Sequence, residues 1–359
     1  MYKLKDYLSN GLALVNNTLR PRHKHITNLM LYTTSRCQSR CRHCHIWEKP
    51  RQDLSLSDIR RIMSAKCVRP STTVGLEGGE FVLHPQADEI LGWFRQHHPN
   101  YTLLSNCLAP ERVIAAVRQH RPLHLYVSLD GDRETYLAMR GVDGHDRVIR
   151  VIEELKGELP ISIMFCLTPW NALSDMDYCI GVARRYGIDI RIGIYGTMSF
   201  FDTSAEMLDS DSDFLSRIPR SIHDTSENFD FVALYEYWRR GELRLPCRSI
   251  FSELVVHPDG TVPICQNLGT SLGNIHDRSL DDIFNSEESL AMQRRHCRSC
   301  NGCWINFHRK YDIILLRSLE RMMPKRFVQR LAGKYQWSAD ANRTYSSVIK
   351  EIRDNEKAY

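Results

Sequence analysis

The sequence predicts an α/β fold: six β-then-α units building a parallel sheet, curved or closed, followed by a small α+β domain and a helical tail. Three observations carry this. From residue 26 to about 196, apolar runs of strand length alternate with segments of helical period. Beyond that point the alternation stops, and short turn-bounded runs replace it. The last stretch is again helical in pattern, and basic. Repeated β/α units place strands parallel and helices across the sheet. In such sheets the chemistry collects at the carboxyl ends of the strands.

The elements follow in order. Residues 1–25 read as a helical extension. Strands are expected at 26–33, 73–77, 101–106, 123–130, 161–168 and 188–195. A helix starts near Ser55, where Ser55 and Asp58 form a capping-box pattern ahead of Ile59, Ile62 and Met63. Further helices centre on 90–94, 113–117, 148–155 and 176–185. Residues 197–230 are rich in Ser and Asp and read as a long loop. A short aromatic helix is expected at 232–240. Residues 253–257 and 261–265 flank Asp259-Gly260, which signals a hairpin. Short helices are expected at 280–284 and 287–295. This second region holds too little apolar core to stand alone, so a metal staple is expected.

Between Arg309 and Lys334 lie eight Lys or Arg and two acidic residues. Ile313, Leu315, Leu316, Leu319, Met322, Met323, Phe327 and Leu331 give the same stretch an apolar component, and Pro324 should break it. One reading is a helix packed on the barrel with a solvated basic face. The other is contact with an anionic substrate or a membrane surface. The domain plan is therefore 1–25, 26–230, 231–305 and 306–359.

Composition sets outer limits. With 42% apolar and 25% charged residues among 359, wholesale disorder is excluded. No apolar run reaches membrane-spanning length. Residues 1–20 are too polar for a secretory signal, so a cytoplasmic protein is expected. A net charge of +5 does not point to nucleic acid.

The cysteines stand out. There are twelve, and eight fall into two groups. In a reducing compartment clustered thiols hold metal more often than disulfides. Cys37, Cys41 and Cys44 form C-x3-C-x2-C directly after the first strand. Three thiolates suit an iron–sulfur cluster and leave one iron of a cubane open to another ligand. The alternative is zinc, with His43 or His45 as a fourth ligand.

This cysteine spacing after the first strand resembles the signature of the radical S-adenosylmethionine (radical SAM) enzymes. Further segments agree in order. Gly78-Gly79-Glu80 follows the second strand and resembles the family's segment for the methionine amino group of SAM. Asn106 ends the third strand; Cys107 stands where the family often has glycine. Ser128-Leu129-Asp130-Gly131 ends the fourth, and Arg140-Gly141 follows. Thr168 and Asn171 close the fifth, and Arg191 lies in the sixth. Departures are His43 for the usual aromatic and Phe81 for the usual proline. The resemblance implies a partial (β/α)6 barrel with SAM contacts at Gly78, Gly79, Glu80, Asn106, Ser128, Asp130, Thr168, Asn171 and Arg191.

The second group comprises Cys247, twelve residues, Gly260, four residues and Cys265, then Cys297, Cys300 and Cys303. It resembles the SPASM or shorter twitch extension, which holds auxiliary iron–sulfur clusters. Five cysteines can ligate one four-iron cluster with one to spare, and which four do so is left open. Cys67, Cys107, Cys166 and Cys179 read as buried apolar residues. Cys107 and Cys166, at or near strand ends, are also candidates for a thiol that donates hydrogen to a substrate radical.

The resemblance implies a [4Fe–4S] cluster that cleaves SAM reductively to a 5′-deoxyadenosyl radical, which abstracts a substrate hydrogen atom. A one-electron reductant such as flavodoxin or ferredoxin would supply the cluster. One auxiliary [4Fe–4S] cluster would transfer electrons in an oxidation or rearrangement. The reduced cysteine count and basic tail favour a sugar, nucleoside or lipid/glycan precursor as substrate. The alternative is a ribosomal peptide maturase. The 25 residues before Ile26 are too few for a peptide-recognition domain, so a separate recognition protein would be expected there. A reading from another class is a non-enzymatic, zinc-held interaction module.

Overall fold

The computed structural model describes residues 4–196, 198–201, 228–245, 247–300, 302–337 and a few positions between 344 and 354. Most of the loop expected at 197–230, and part of the tail, lie outside the described residues.

Strands form where the apolar runs lie: β1 (Ile26–Thr34), β2 (Val68–Gly78), β3 (Tyr101–Ser105), β4 (His124–Ser128), β5 (Ile161–Leu167) and β6 (Asp189–Ile194). They lie side by side in chain order, each parallel to the next. The helices are α1 (Leu4–Leu19), α2 (Leu56–Met63), α3 (Ala87–His97), α4 (Pro110–His120), α5 (Arg133–Arg140), α6 (His145–Leu155) and α7 (Leu173–Tyr186). The Ser55 capping box is formed: Asp58 N donates to Ser55 Oγ at 3.1 Å, and Ser55 N to Asp58 Oδ2 at 3.2 Å. Helix α5 was not among the expected helices. Thr135 N donates to Asp132 Oδ1 at its start, and Gly141 closes it at φ +65°.

The later region departs from expectation at one point. The hairpin turn exists, with His257 N donating to Thr261 O at 2.9 Å, but its two arms join different sheets. The first arm, β7 (Glu253–Val256), pairs in parallel with β1, Met30 opposite Val255, as a seventh strand of the barrel sheet. The second, β8 (Thr261–Pro263), pairs antiparallel with β9 (Ser271–Asn274). The reason is burial. All nine residues of β1 and all four of β7 are buried, so β1 needs a partner on each flank and β7 has no solvent face.

Helices α8 (Asn228–Arg239), α9 (Leu280–Asn285), α10 (Glu287–Ser299), α11 (Asn306–Met322) and α12 (Lys325–Ala332) complete the described elements. Pro324 separates the last two as N-cap of α12. The start of α11 bridges both outer strands: Asn306 Nδ2 donates to Ile192 O at 3.1 Å, and His308 Nδ1 meets Glu253 Oε2 at 3.0 Å. No helix among the described residues is long and apolar enough to cross a membrane.

Alternation along the strands sorts the two faces of the sheet. Leu29, Leu31, Leu76, Val127, Ile163 and Ile192 are fully buried in the main core. The intervening positions of β2, β4, β5 and β6 are half-buried, including Glu77, Tyr126, Met164, Cys166 and Arg191. These residues line the inner face of the sheet, a half-buried trough opposite the main core. On β1 the inward Met30 and Tyr32 pack with Val255, Phe200, Phe201 and Phe307.

Candidate active site

The first cysteine loop leaves β1 at its carboxyl end and is pinned on two sides. Arg40 N and Arg42 N donate to Arg140 O and Met139 O, the last residues of α5, both at 2.9 Å. On the other side Gly79 N donates to Thr34 O and Glu80 N to Arg36 O, both at 2.7 Å. The glycines are required by that contact. A Cβ on Gly79 would lie 2.2 Å from Arg36 O, and Gly78 has φ +121° with a Cβ position 2.6 Å from Thr34 O.

Cys41 is buried; Cys37 and Cys44 are half-buried. Asn106 Nδ2 donates to Cys37 Sγ at 3.6 Å, and Arg140 Nη1 to Cys41 Sγ at 3.8 Å. Burial pushes the Cys37 and Cys44 thiols up to about 12.

Glu80 is fully buried, and burial lifts its carboxyl to about 7. Ser105 Oγ donates to its Oε1 at 2.8 Å and Asn106 N to its Oε2 at 2.7 Å. It thereby ties the end of β2 to the end of β3. Asn106 turns its Oδ1 to Leu108 N at 3.0 Å. Ser128 sits half-buried at the end of β4. Asp130 is buried and accepts from Arg140 Nε at 2.6 Å. Asn171 accepts from Thr168 N at 2.7 Å and donates to Cys166 O at 2.9 Å and Asp130 O at 3.3 Å, linking the ends of β4 and β5. Arg191 lies on the inward face of β6 and pairs with Asp189 at 3.1 Å.

Cys67, Cys107 and Cys179 are buried, whereas Cys166 faces the trough half-buried. Cys107 has no exposed surface and sits at φ +58°. Sequence reasoning missed the Asp130–Arg140–Cys41 chain, because nothing in the spacing says that Arg140 turns back to the cysteine loop. It also passed over Glu77, an inward carboxyl raised to about 7 by burial alone.

In the second group Cys247 and Cys303 are buried, and Cys265, Cys297 and Cys300 half-buried. Cys303 lies within electrostatic reach of Cys247, Cys265 and Cys300, and burial pushes its thiol up to about 12. Cys297 instead faces Arg248, Asp312 and Cys300.

A family model described as the radical SAM superfamily matches residues 31–172. A second, described as an iron–sulfur cluster-binding domain and named SPASM, matches residues 247–304. The chain carries a radical SAM domain over residues 31–172 and a SPASM domain over residues 247–304. The antilisterial bacteriocin subtilosin biosynthesis protein AlbA of Bacillus subtilis (strain 168) is 21% identical over 309 residues, 77% of this chain and 68% of that protein. The structure of Streptococcus suis SuiB bound to precursor peptide SuiA matches with TM-score 0.60 at 15% identity, covering 83% of this chain and 75% of that one. Native anSMEcpe with bound AdoMet and a peptide matches with TM-score 0.56 at 15% identity, covering 92% and 97%. At these identities the structural likeness carries the fold alone.

A radical SAM protein with a SPASM domain uses S-adenosylmethionine, a [4Fe–4S] cluster and auxiliary iron–sulfur clusters. The residues present fit these groups. Three free thiols share one loop, with two N–H donors aimed at them. Buried polar atoms beside that loop, Gln38 Oε1, His43 Nδ1 and Asp130 Oδ1, have no partner among the described residues. The zinc alternative gives way to the two domain matches, one of them described as iron–sulfur cluster-binding.

Proposed function

We propose that this radical SAM enzyme modifies a peptide, the reading that sequence analysis placed second to a sugar, nucleoside or lipid precursor. The observation that carries it is the company the chain keeps: AlbA is named for bacteriocin biosynthesis, and SuiB was solved with a precursor peptide. The trough supports it. Its half-buried floor mixes Glu77, Tyr126, Met164 and Arg191, a surface of both charges and apolar area suited to an extended chain.

In this proposal Cys37, Cys41 and Cys44 hold the [4Fe–4S] cluster that binds S-adenosylmethionine. The pair supplies hydrogen-atom abstraction from an unactivated carbon. Arg140 and Asn106 hold the Cys41 and Cys37 sulfurs by donating N–H groups. Gly78, Gly79 and Glu80 would hold the methionine end; Ser128, Asp130, Thr168, Asn171 and Arg191 would supply polar groups along the strand ends. Cys303, which lies near Cys247, Cys265 and Cys300, would hold one auxiliary cluster together with those three. A flavodoxin- or ferredoxin-type protein delivers the electron.

Anaerobic incubation with SAM and dithionite tests the proposal, with 5′-deoxyadenosine as readout. The triple variant Cys37→Ala, Cys41→Ala, Cys44→Ala should form none while keeping auxiliary iron. Precursor peptides should accelerate formation in the native chain and gain or lose mass. Acceleration by nucleotide sugars or lipid-linked sugars, with none by peptides, would restore the other substrate class.

A further inference from the structure

Helix α1 is built inside out. Its polar side chains face the protein: Ser9 Oγ donates to Ser71 Oγ at 3.1 Å, and the buried Asn17 donates to His25 O at 2.7 Å and Phe251 O at 2.9 Å. Four of its apolar residues face away, while Leu4, Ala13 and Leu14 are half-buried. Leu8, Leu12, Val15 and Leu19 form one stripe at helical spacing, with Leu12 71% and Leu19 74% exposed. Water gives no reason to place four aliphatic side chains outward while amides turn in.

A second stripe stands beside it. On α11, Leu315, Leu319 and Met322 point outward at the same spacing, Met322 82% exposed. Leu315 shares one cleft of about 600 Å³ with Leu8, Leu12 and Val15, lined also by Phe251, Ile349, Glu253, His308 and Asp312, so the two helices flank one largely apolar groove. Helix α12, which follows α11 after Pro324, is amphipathic in the same way. Val328 and Ala332 anchor it inward, while Phe327 and Leu331 stand exposed beside Arg326 and Arg330.

Along the end of α11 and along α12 the charge is mostly positive. From residue 317 to 334 there are six Lys or Arg and one acidic residue, Glu320. Glu320 is occupied, accepting from Tyr335 OH at 2.8 Å and from Trp337 Nε1. Arg321, Lys325, Arg326, Arg330 and Lys334 are exposed. Arg309, counted with this basic stretch in the sequence, is fully buried against Leu245 O and Asp312 and takes no part.

We propose that α1, α11 and α12 form a docking surface for an anionic membrane. Protruding aliphatic side chains with arginines and lysines beside them suit the headgroup boundary, where stems bury and charged heads meet lipid phosphates. A neutral protein groove would not select the mostly positive stretch along α11 and α12. The surface would hold the enzyme against a bilayer without spanning it, whichever substrate it acts on.

The test uses the full chain, reconstituted anaerobically, in co-sedimentation with vesicles of phosphatidylcholine alone or mixed with phosphatidylglycerol. Binding to the anionic vesicles, weakened by added salt, is expected. The pair Leu12→Asp, Leu331→Asp should abolish it, and the pair Arg326→Gln, Arg330→Gln should weaken it several-fold, with far-UV circular dichroism and iron content unchanged. If the aspartate pair fails to fold, the glutamine pair still decides. Failure of the native chain to bind anionic vesicles would overturn the proposal. So would equal binding by all variants that fold, or vesicle-independent self-association that the same substitutions remove.

Discussion

Cys107 takes a left-handed backbone, φ +58°, directly after β3. A Cβ in that region costs about 1–2 kcal/mol. Cys107→Gly removes the strain and the buried thiol together, so stability should stay within about 1 kcal/mol of native by urea titration. If the thiol has no chemical part, formation of 5′-deoxyadenosine should also persist. Arg140 carries the opposite risk. It is buried, and Asp130 beside it is 1% exposed. Arg140→Met strands a buried carboxylate and should cost about 3–5 kcal/mol by the same titration, most of it regained in Asp130→Asn, Arg140→Met. Glu77 and Glu80 give a pH dependence. Burial raises both to about 7 in the folded chain. Their contribution to stability is therefore fully present below the ordinary glutamate value of 4.5 and is lost as pH rises through about 7. Glu77→Gln should flatten that decline in urea midpoints across the window.

Elements with strong period were legible. The six barrel strands fall within a few residues of the apolar runs, apart from the longer start of β2, and the Ser55 box opens α2 as read. Helix α5 was not, because its eight residues carry few apolar positions and the motif around it reads as a turn. It rests on its cap, so Asp132→Ala should cost about 1 kcal/mol, measured as a shift in thermal or urea midpoint. Strand β7 was misassigned because a hairpin signal reports only the turn, whereas pairing depends on which edge is free. Of the proposed site, the cysteine groups stand out by their spacing, and Gly78, Gly79 and Glu80 by the family resemblance. The bonds of Glu80 to Ser105 and Asn106, and of Arg140 to Cys41, join strand ends far apart in sequence, and no local pattern records them.

At the scale of the molecule, the second cysteine group is tied to the barrel. Cys247 precedes β7 and Cys303 precedes α11, the two elements that finish the sheet. A chain ended at residue 245 should expose the flank of β1 and elute as aggregate in size-exclusion chromatography. Chelating iron from the reconstituted protein should lower its melting temperature, and more in native protein than in a Cys247→Ala, Cys265→Ala variant that cannot hold the auxiliary group. The ladder between β1 and β7 has one more effect. The strand that launches the first cysteine loop is bonded along its other flank to the segment that follows Cys247. Swinging the carboxyl-terminal region away would mean unzipping that ladder. The two thiol nests therefore ride on one chassis at a fixed spacing, and admission of substrate falls to loops and side chains around the rim instead of a clamshell hinge.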